Sequence, residues 1–161
     1  MNNKNMLIRQ VKFEDIENFV ETYMKAYEDF DDYKYHTKKE IRKYFKWLYN
    51  RDKEGFFVAE EGDKIVGFVA ADANWINLKG EKILEIHEIF VLKEFKRKGV
   101  GDKLLEKVLN YGIKQGRKAV ELWVGRTNYD AINFYKKLGF KKIGEKGKWL
   151  KMRRSLICCE N

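Results

Sequence analysis

Three consecutive cations and two glycines, in Phe95-Lys96-Arg97-Lys98-Gly99-Val100-Gly101-Asp102, stand between an apolar run and a helical pattern. Glycine lets a backbone approach an anion with no Cβ in the way. A helix opening at this point aims its unpaired amides and positive dipole end at the same spot. The chemistry that suits is the holding of a phosphate. A GxGxxG loop would need glycine where Leu104 stands, and no GxxxxGK[ST] run occurs in the chain. Dinucleotide and triphosphate loops are therefore disfavoured.

The elements around this turn follow from periodicity. Leu7 to Val11 predicts a strand, and Phe13, Ile16, Phe19, Val20, Tyr23, Met24 and Tyr27 recur at helical spacing. Thr37 to Glu40 reads as a capping box before a second helix with Ile41, Tyr44, Phe45 and Leu48 on its apolar face. Short β-rich runs follow: Phe56 to Glu60, a turn at Gly62-Asp63, Lys64 to Ala73, then Lys82 to Leu92. In the last of these the apolar alternation slips between Ile86 and Ile89, which fits a β-bulge. After the basic turn come a helix ending near Gly112 or Gly116 and a strand over Ala119 to Val124. Thr127 to Asp130 predicts another capping box, opening a helix closed by Gly139, and Phe140 to Ile143 and Trp149 to Leu156 are the last two strands. The order is β-α-α-β-β-β-α-β-α-β-β, an α/β (α+β) chain.

Composition narrows the class. The chain has 161 residues, 44% of them apolar and 15% aromatic, which suits one domain with a sizeable core over residues 1–156 and a tail at 157–161. The polar opening Met1 to Asn5 lacks the apolar stretch of a secretory signal, and no run is long enough for a membrane span. A cytoplasmic protein without membrane partners is expected. Cys158 and Cys159 are adjacent at the tail, where they can build neither a fold-stapling disulfide nor a four-ligand zinc site, and no metal is expected. The net charge of +9 is compatible with nucleic acid or with an anionic small molecule. The lysines are interspersed with glutamates along the whole chain, which favours a solvated surface over a nucleic-acid stripe.

The turn resembles the pyrophosphate loop of the GNAT superfamily of N-acetyltransferases, [Q/R]-x-x-G-x-[G/A], with Lys96 in its first position. That lysine keeps the charge and loses the planar, multi-donor side chain. Asn128-x-x-Ala131-Ile132-x-Phe134-Tyr135-x-Lys137-Leu138-Gly139-Phe140 resembles the second signature of the same family, at a similar distance and in the same order. The element order is also that family's. The resemblance covers essentially the whole chain and implies the GNAT fold, a mixed sheet of six to seven strands splayed between strands 4 and 5 with helices on both faces.

What the resemblance implies about the site is specific. Acetyl-CoA would be the cosubstrate. Its pantetheine arm would meet main-chain groups of Phe90, Val91 and Leu92, and its pyrophosphate the amides of Lys98, Gly99, Val100, Gly101 and Asp102, with Lys96 and Arg97 as nearby cations. Asn128 matches a residue that contacts the pantetheine arm, and it is equally placed to cap a helix. Tyr135 matches the general acid that protonates the departing thiolate, although a tyrosine beside Phe134 could equally be packing. A primary amine is protonated at neutral pH, so attack needs a base, directly or through water. Glu85, His87 and Glu88 are the candidates in that order, and Glu85 shares a strand face with His87. A glutamate on a wet strand face is the plain alternative. The ribosomal branch of the family keeps a glutamate on the fifth strand where this chain has Trp123.

The implied reaction is direct, sequential transfer of an acetyl group to a primary amine, either a small cationic molecule or a protein amine. Carboxylates and rings in the acidic, aromatic stretch from Tyr27 to Tyr35 would suit a cationic acceptor. A monomer or homodimer is expected. Two readings from other classes stand beside it: a non-catalytic acetyl-CoA-binding regulatory module, and a basic ribosome- or RNA-associated protein.

Overall fold

A computed structural model describes residues 6–157, so Cys158 and Cys159 lie outside the described residues. The elements are β1 (Met6–Gln10), α1 (Ile16–Ala26), α2 (Lys38–Asp52), β2 (Phe56–Glu61), β3 (Lys64–Ile76), β4 (Lys82–Val91), α3 (Val100–Lys114), β5 (Ala119–Gly125), α4 (Tyr129–Lys137), β6 (Lys141–Lys146) and β7 (Trp149–Ser155). The seven strands form one mixed sheet in the order β1-β2-β3-β4-β5-β7-β6. β4 and β5 run parallel, while β1–β2, β2–β3, β5–β7 and β6–β7 are antiparallel. The residues group into two compact units, Met1–Ala71 with Glu88–Val108 and Asp72–His87 with Leu109–Asn161.

In the first unit, Phe19, Val20, Tyr23 and Ala26 of α1 and Ile41, Phe45 and Leu48 of α2 are buried, as the helical spacing requires. Phe19 is the centre, its ring 5.1 to 5.9 Å from those of Phe45, Phe56, Phe68 and Phe90, all edge-on. The capping box of α2 is formed: Glu40 N–H donates to Thr37 Oγ1 at 3.1 Å and Thr37 N–H to Glu40 Oε1 at 3.3 Å. On β3, Phe68 turns to α1 while a Cβ at neighbouring Gly67 would meet Phe90 O at 2.8 Å and Leu104 Cδ1 of α3 at 3.2 Å. Only glycine lets α3 seat this closely.

In the second unit, β5 pairs with β7 from Ala119 opposite Ser155 to Gly125 opposite Trp149. The parallel pairing of β4 with β5 runs from Leu84 with Val120 to Ile86 with Leu122, three pairs along strands of ten and seven residues. Gly112 of α3 is small because Leu84 Cδ2 would lie 2.8 Å from a Cβ there.

Two local expectations are corrected. α4 is capped by Asn128, whose Oδ1 accepts from Ala131 N–H at 3.4 Å, and not by a Thr127–Asp130 box; the helix begins one residue later than the pattern suggests. Phe140 does not open β6, because its N–H donates to Tyr135 O at 3.1 Å and so closes the end of α4 after Gly139 turns at φ 89°. β3 also runs past Ala73 to Ile76.

Candidate functional site

The basic turn is conformationally unusual. Arg97 has φ 65° and Gly99 φ 82°, and among the described residues Arg97 is the non-glycine residue with positive φ. A left-handed arginine carries strain of roughly 1 kcal/mol, of a kind that clusters where a loop is shaped for a ligand. The approach is pinned by Phe95 N–H to Leu92 O at 2.9 Å and Lys96 N–H to Lys93 O at 3.2 Å. The helical bond of Lys103 N–H to Gly99 O at 3.1 Å comes after the amides of Val100, Gly101 and Asp102, which are left for an external acceptor. Lys96, Arg97 and Lys98 are exposed around them. Lys96 Nζ sits 5.2 Å from the centre of the Phe30 ring, and Lys98 Nζ and Lys64 Nζ each 5.2 Å from that of Phe95.

Of the three residues expected to meet the pantetheine arm, Phe90 and Val91 continue β4, and Leu92 is already engaged. Its N–H donates to Val66 O at 2.8 Å and its carbonyl accepts from Phe95 N–H. Any cofactor contact through that amide is therefore taken up by the sheet.

Glu88 belongs to the first unit and lies between α1 and α2. Tyr27 Oη donates to Glu88 Oε1, Tyr44 Oη donates to Glu88 Oε2 at 2.8 Å, and Ile89 N–H adds a third bond. Burial pushes this carboxyl up, the three donors pull it back, and it settles at about 7. Burial, then the charge of Glu88, pushes both phenols well above their ordinary range, so they remain donors.

Glu85 belongs to the second unit, and its surroundings differ. It is 2% exposed and stands opposite Glu121 in the parallel register. Its Oε1 is a buried oxygen without a hydrogen-bond partner. Burial pushes the carboxyl up to about 8, with Lys151 opposing and Glu121 and Asp72 adding to the rise. Glu121 behaves in the opposite way. Burial would raise it, but bonds from Lys151 at 3.0 Å, Arg153 at 2.6 Å and Asn77 at 3.1 Å outweigh burial and hold it below the usual carboxylate range. His87 Nε2 lies 3.2 Å from Oδ2 of fully buried Asp72, with Trp75 packed edge-on 4.8 Å from its ring. Trp123 carries Lys151 Nζ 4.9 Å over its ring.

In the same unit Asn128 spends its side-chain oxygen on the cap of α4. Tyr135 is buried, with its ring 5.6 Å from Phe140 and 5.4 Å from Phe134. Thus the structure gathers Glu85 with His87 in one unit, and the basic turn with Glu88 in the other. Sequence reasoning passed over Asp72, Glu121 and Tyr44. The first two carried a signal, a lone carboxylate inside the runs Val69-Ala70-Ala71-Asp72-Ala73 and Ala119-Val120-Glu121-Leu122, where a charge must find partners. Tyr44 carried none beyond its place on an apolar helix face.

Residues 16–140 match the model of the acetyltransferase (GNAT) family. The chain belongs to that family. It is 50% identical over 150 residues to an uncharacterized N-acetyltransferase of Methanocaldococcus jannaschii, covering 92% of this chain and 66% of that one. This chain therefore spans just under two thirds of that relative's length. An uncharacterized N-acetyltransferase of Archaeoglobus fulgidus is 49% identical over 131 residues, 81% of this chain and 89% of that one. A protein of Pyrococcus horikoshii, known by its crystal structure, superposes with a TM-score of 0.85 at 38% identity over 93% of this chain and 98% of its own. Family and relatives make the chain an acyltransferase of the GNAT type. No helix among the described residues is long and apolar enough to cross a membrane.

Proposed function

We propose that the protein moves an acetyl group from acetyl-CoA to a primary amine, by direct attack of the amine on the thioester. The observation that carries the cofactor reading is the left-handed Arg97–Gly99 turn, with exposed cations and unpaired amides at the start of α3. These groups fit a diphosphate: the amides of Lys98, Gly99, Val100, Gly101 and Asp102 would donate to its oxygens, with Lys96 and Arg97 beside them. Main-chain groups of Phe90 and Val91 would meet the pantetheine arm, as would the side-chain NH2 of Asn128. When bound, the cosubstrate supplies the activated acetyl group.

The protein's own part is to manage protons. The ammonium of the acceptor loses two protons in becoming an amide; one ends on the released thiol and the other in solvent. Glu85 takes the first, directly or through water, since a carboxyl with a pKa of about 8 and an unpartnered oxygen is a poised base near neutrality. His87 and Glu88 stand behind it as second and third choices. Tyr135 gives a proton to the thiolate, a group of similar basicity. The test is thiol release from acetyl-CoA across a panel of amines. Transfer is expected, and Tyr135→Phe is expected to lower turnover about a hundredfold with the KM for acetyl-CoA little changed. Unchanged turnover in that variant would remove Tyr135 from the mechanism, and absence of acetyl-CoA binding to the wild-type protein would remove the whole reading.

A further inference from the structure

Glu88 is a carboxylate with donors and no countercharge. Its partners are two phenols and one main-chain amide, and no lysine or arginine among the described residues pairs with it. Two buried acids elsewhere answer differently: Asp15 has Arg9 at 2.9 Å, and Glu121 has Lys151 and Arg153. Glutamine would satisfy both phenols without the cost of sheltering a charge. The carboxylate is also aimed, since each oxygen accepts one phenol, and with Ile89 N–H as a third donor it still keeps lone-pair capacity for one more. Around it the walls are aromatic and reach the surface. The Tyr35 ring lies 4.9 Å from that of Tyr44, Trp47 stacks on Tyr44 at 6.4 Å, and Tyr35 and Trp47 are each 43% exposed. A carboxylate beside ring faces, partly open to water, is complementary to an alkylammonium. On a chain of net charge +9 such a cation would otherwise be repelled.

We infer that Glu88, held by Tyr27 and Tyr44, is the receptor for a second cationic group of the acceptor, so that the preferred substrate is an amine bearing another ammonium at some distance from the one acetylated. The inference rests on the proposed amine transfer and deepens it, by giving Glu88 the nitrogen of the acceptor that does not react.

The full-length protein, saturated with coenzyme A, is titrated calorimetrically with 1,4-diaminobutane and with butylamine, and both amines are assayed by thiol release from acetyl-CoA. The diamine is expected to bind at least about tenfold more tightly and to show a kcat/KM higher by a similar factor. Glu88→Gln is expected to bring both ratios close to one. Tyr44→Phe, which keeps the ring and deletes one O–H, should reduce them by a few fold. Equal binding of the two amines to the wild-type protein, or an undiminished ratio in Glu88→Gln, overturns the inference. If Glu88→Gln fails to fold, the wild-type ratio and Tyr44→Phe decide. Transfer to both amines without diamine preference sinks this site and leaves the transferase reading intact; diamine preference in binding, removed by Glu88→Gln, with no transfer to any amine does the reverse.

Discussion

Glu85 and Glu88 are three residues apart on one strand, and both are pushed far above the ordinary range of a glutamate, to about 8 and about 7. Their surroundings have little else in common. Glu85 lies among charges, with Glu121 and Asp72 raising it, Lys151 opposing, and one oxygen left without a partner. Glu88 lies among phenols, each oxygen already taking a hydrogen bond. An acid whose oxygen is unpartnered can accept a proton without first breaking a bond. An acid held at both oxygens is better suited to present a fixed charge. The same burial that makes both weak acids therefore leads to two uses, and the difference is set by what the neighbouring side chains donate.

The sharpest way to break that distinction is to neutralise Glu85. Glu85→Gln should lower kcat by roughly a hundred- to a thousandfold, the usual weight of a general base. In the wild type, kcat/KM for a monoamine should rise with pH as Glu85 ionises around pH 8, and in the glutamine variant that limb should flatten. A variant that keeps the limb moves the base to His87 or Glu88, and the two acids would then have to exchange roles.

Next in size is a stability effect with opposite signs in neighbouring acids. Glu85 and Glu88 bind protons more tightly in the folded chain than in the unfolded one, so the folded state holds more protons between about pH 4.5 and their raised values. Their contribution to stability is complete below that window and is lost as pH climbs to about 7 for Glu88 and about 8 for Glu85. Glu121 is held low, so its contribution is present above the ordinary carboxylate range and is lost on acidification. Glu88→Gln should therefore flatten the decline in melting temperature between pH 5 and 7, by the equivalent of on the order of 1–3 kcal/mol. Glu121→Gln should instead weaken the protein at neutral pH, leaving Lys151 short of a partner. Thermal melts of the three proteins across pH 4 to 9 separate these outcomes, and parallel curves for wild type and Glu88→Gln would mean that the phenols do not shelter a charge.

Arg97 gives a smaller effect and divides backbone from side chain. Arg97→Gly removes the strain of φ 65° and should raise stability by up to about 1 kcal/mol while raising the KM for acetyl-CoA several fold. If KM is unmoved, the turn holds its anion through amides alone.

The turn, the Thr37–Glu40 box and the helical faces were legible because each is written in residues a few positions apart. Gly99 and Gly101 announce a backbone that must approach something, and Phe19, Tyr23, Ile41 and Phe45 recur at helical spacing. What encloses Glu88 was not legible: Tyr27 is 61 residues away and Tyr44 is 44, and no local pattern links a tyrosine on a helix face to an acid on a distant strand. The cap of α4 was misread by one residue because Thr127 and Asn128 are both competent N-caps, and the chain settles the choice by bonding Asn128 N–H to Gly125 O at 3.0 Å.

The smallest effect tests whether the two acids are energetically separate. Thr37 caps the helix that carries Tyr44 and has no part in the surroundings of Glu85. Thr37→Ala should cost about 1 kcal/mol of stability through the lost cap. If α2 frays inward from that end, Tyr44 loosens its hold on Glu88, and the preference for a diamine over a monoamine should fall by about twofold or less. The pH at which the monoamine rate rises should stay where it is, because Lys151, Glu121 and Asp72 are untouched. Pairing the diamine ratio with the pH profile in this one variant distinguishes separate sites from a coupled one. A shift in the rate profile on cutting a cap on α2 would show that the surroundings of Glu88 reach Glu85, and the division of labour drawn between them would have to be abandoned.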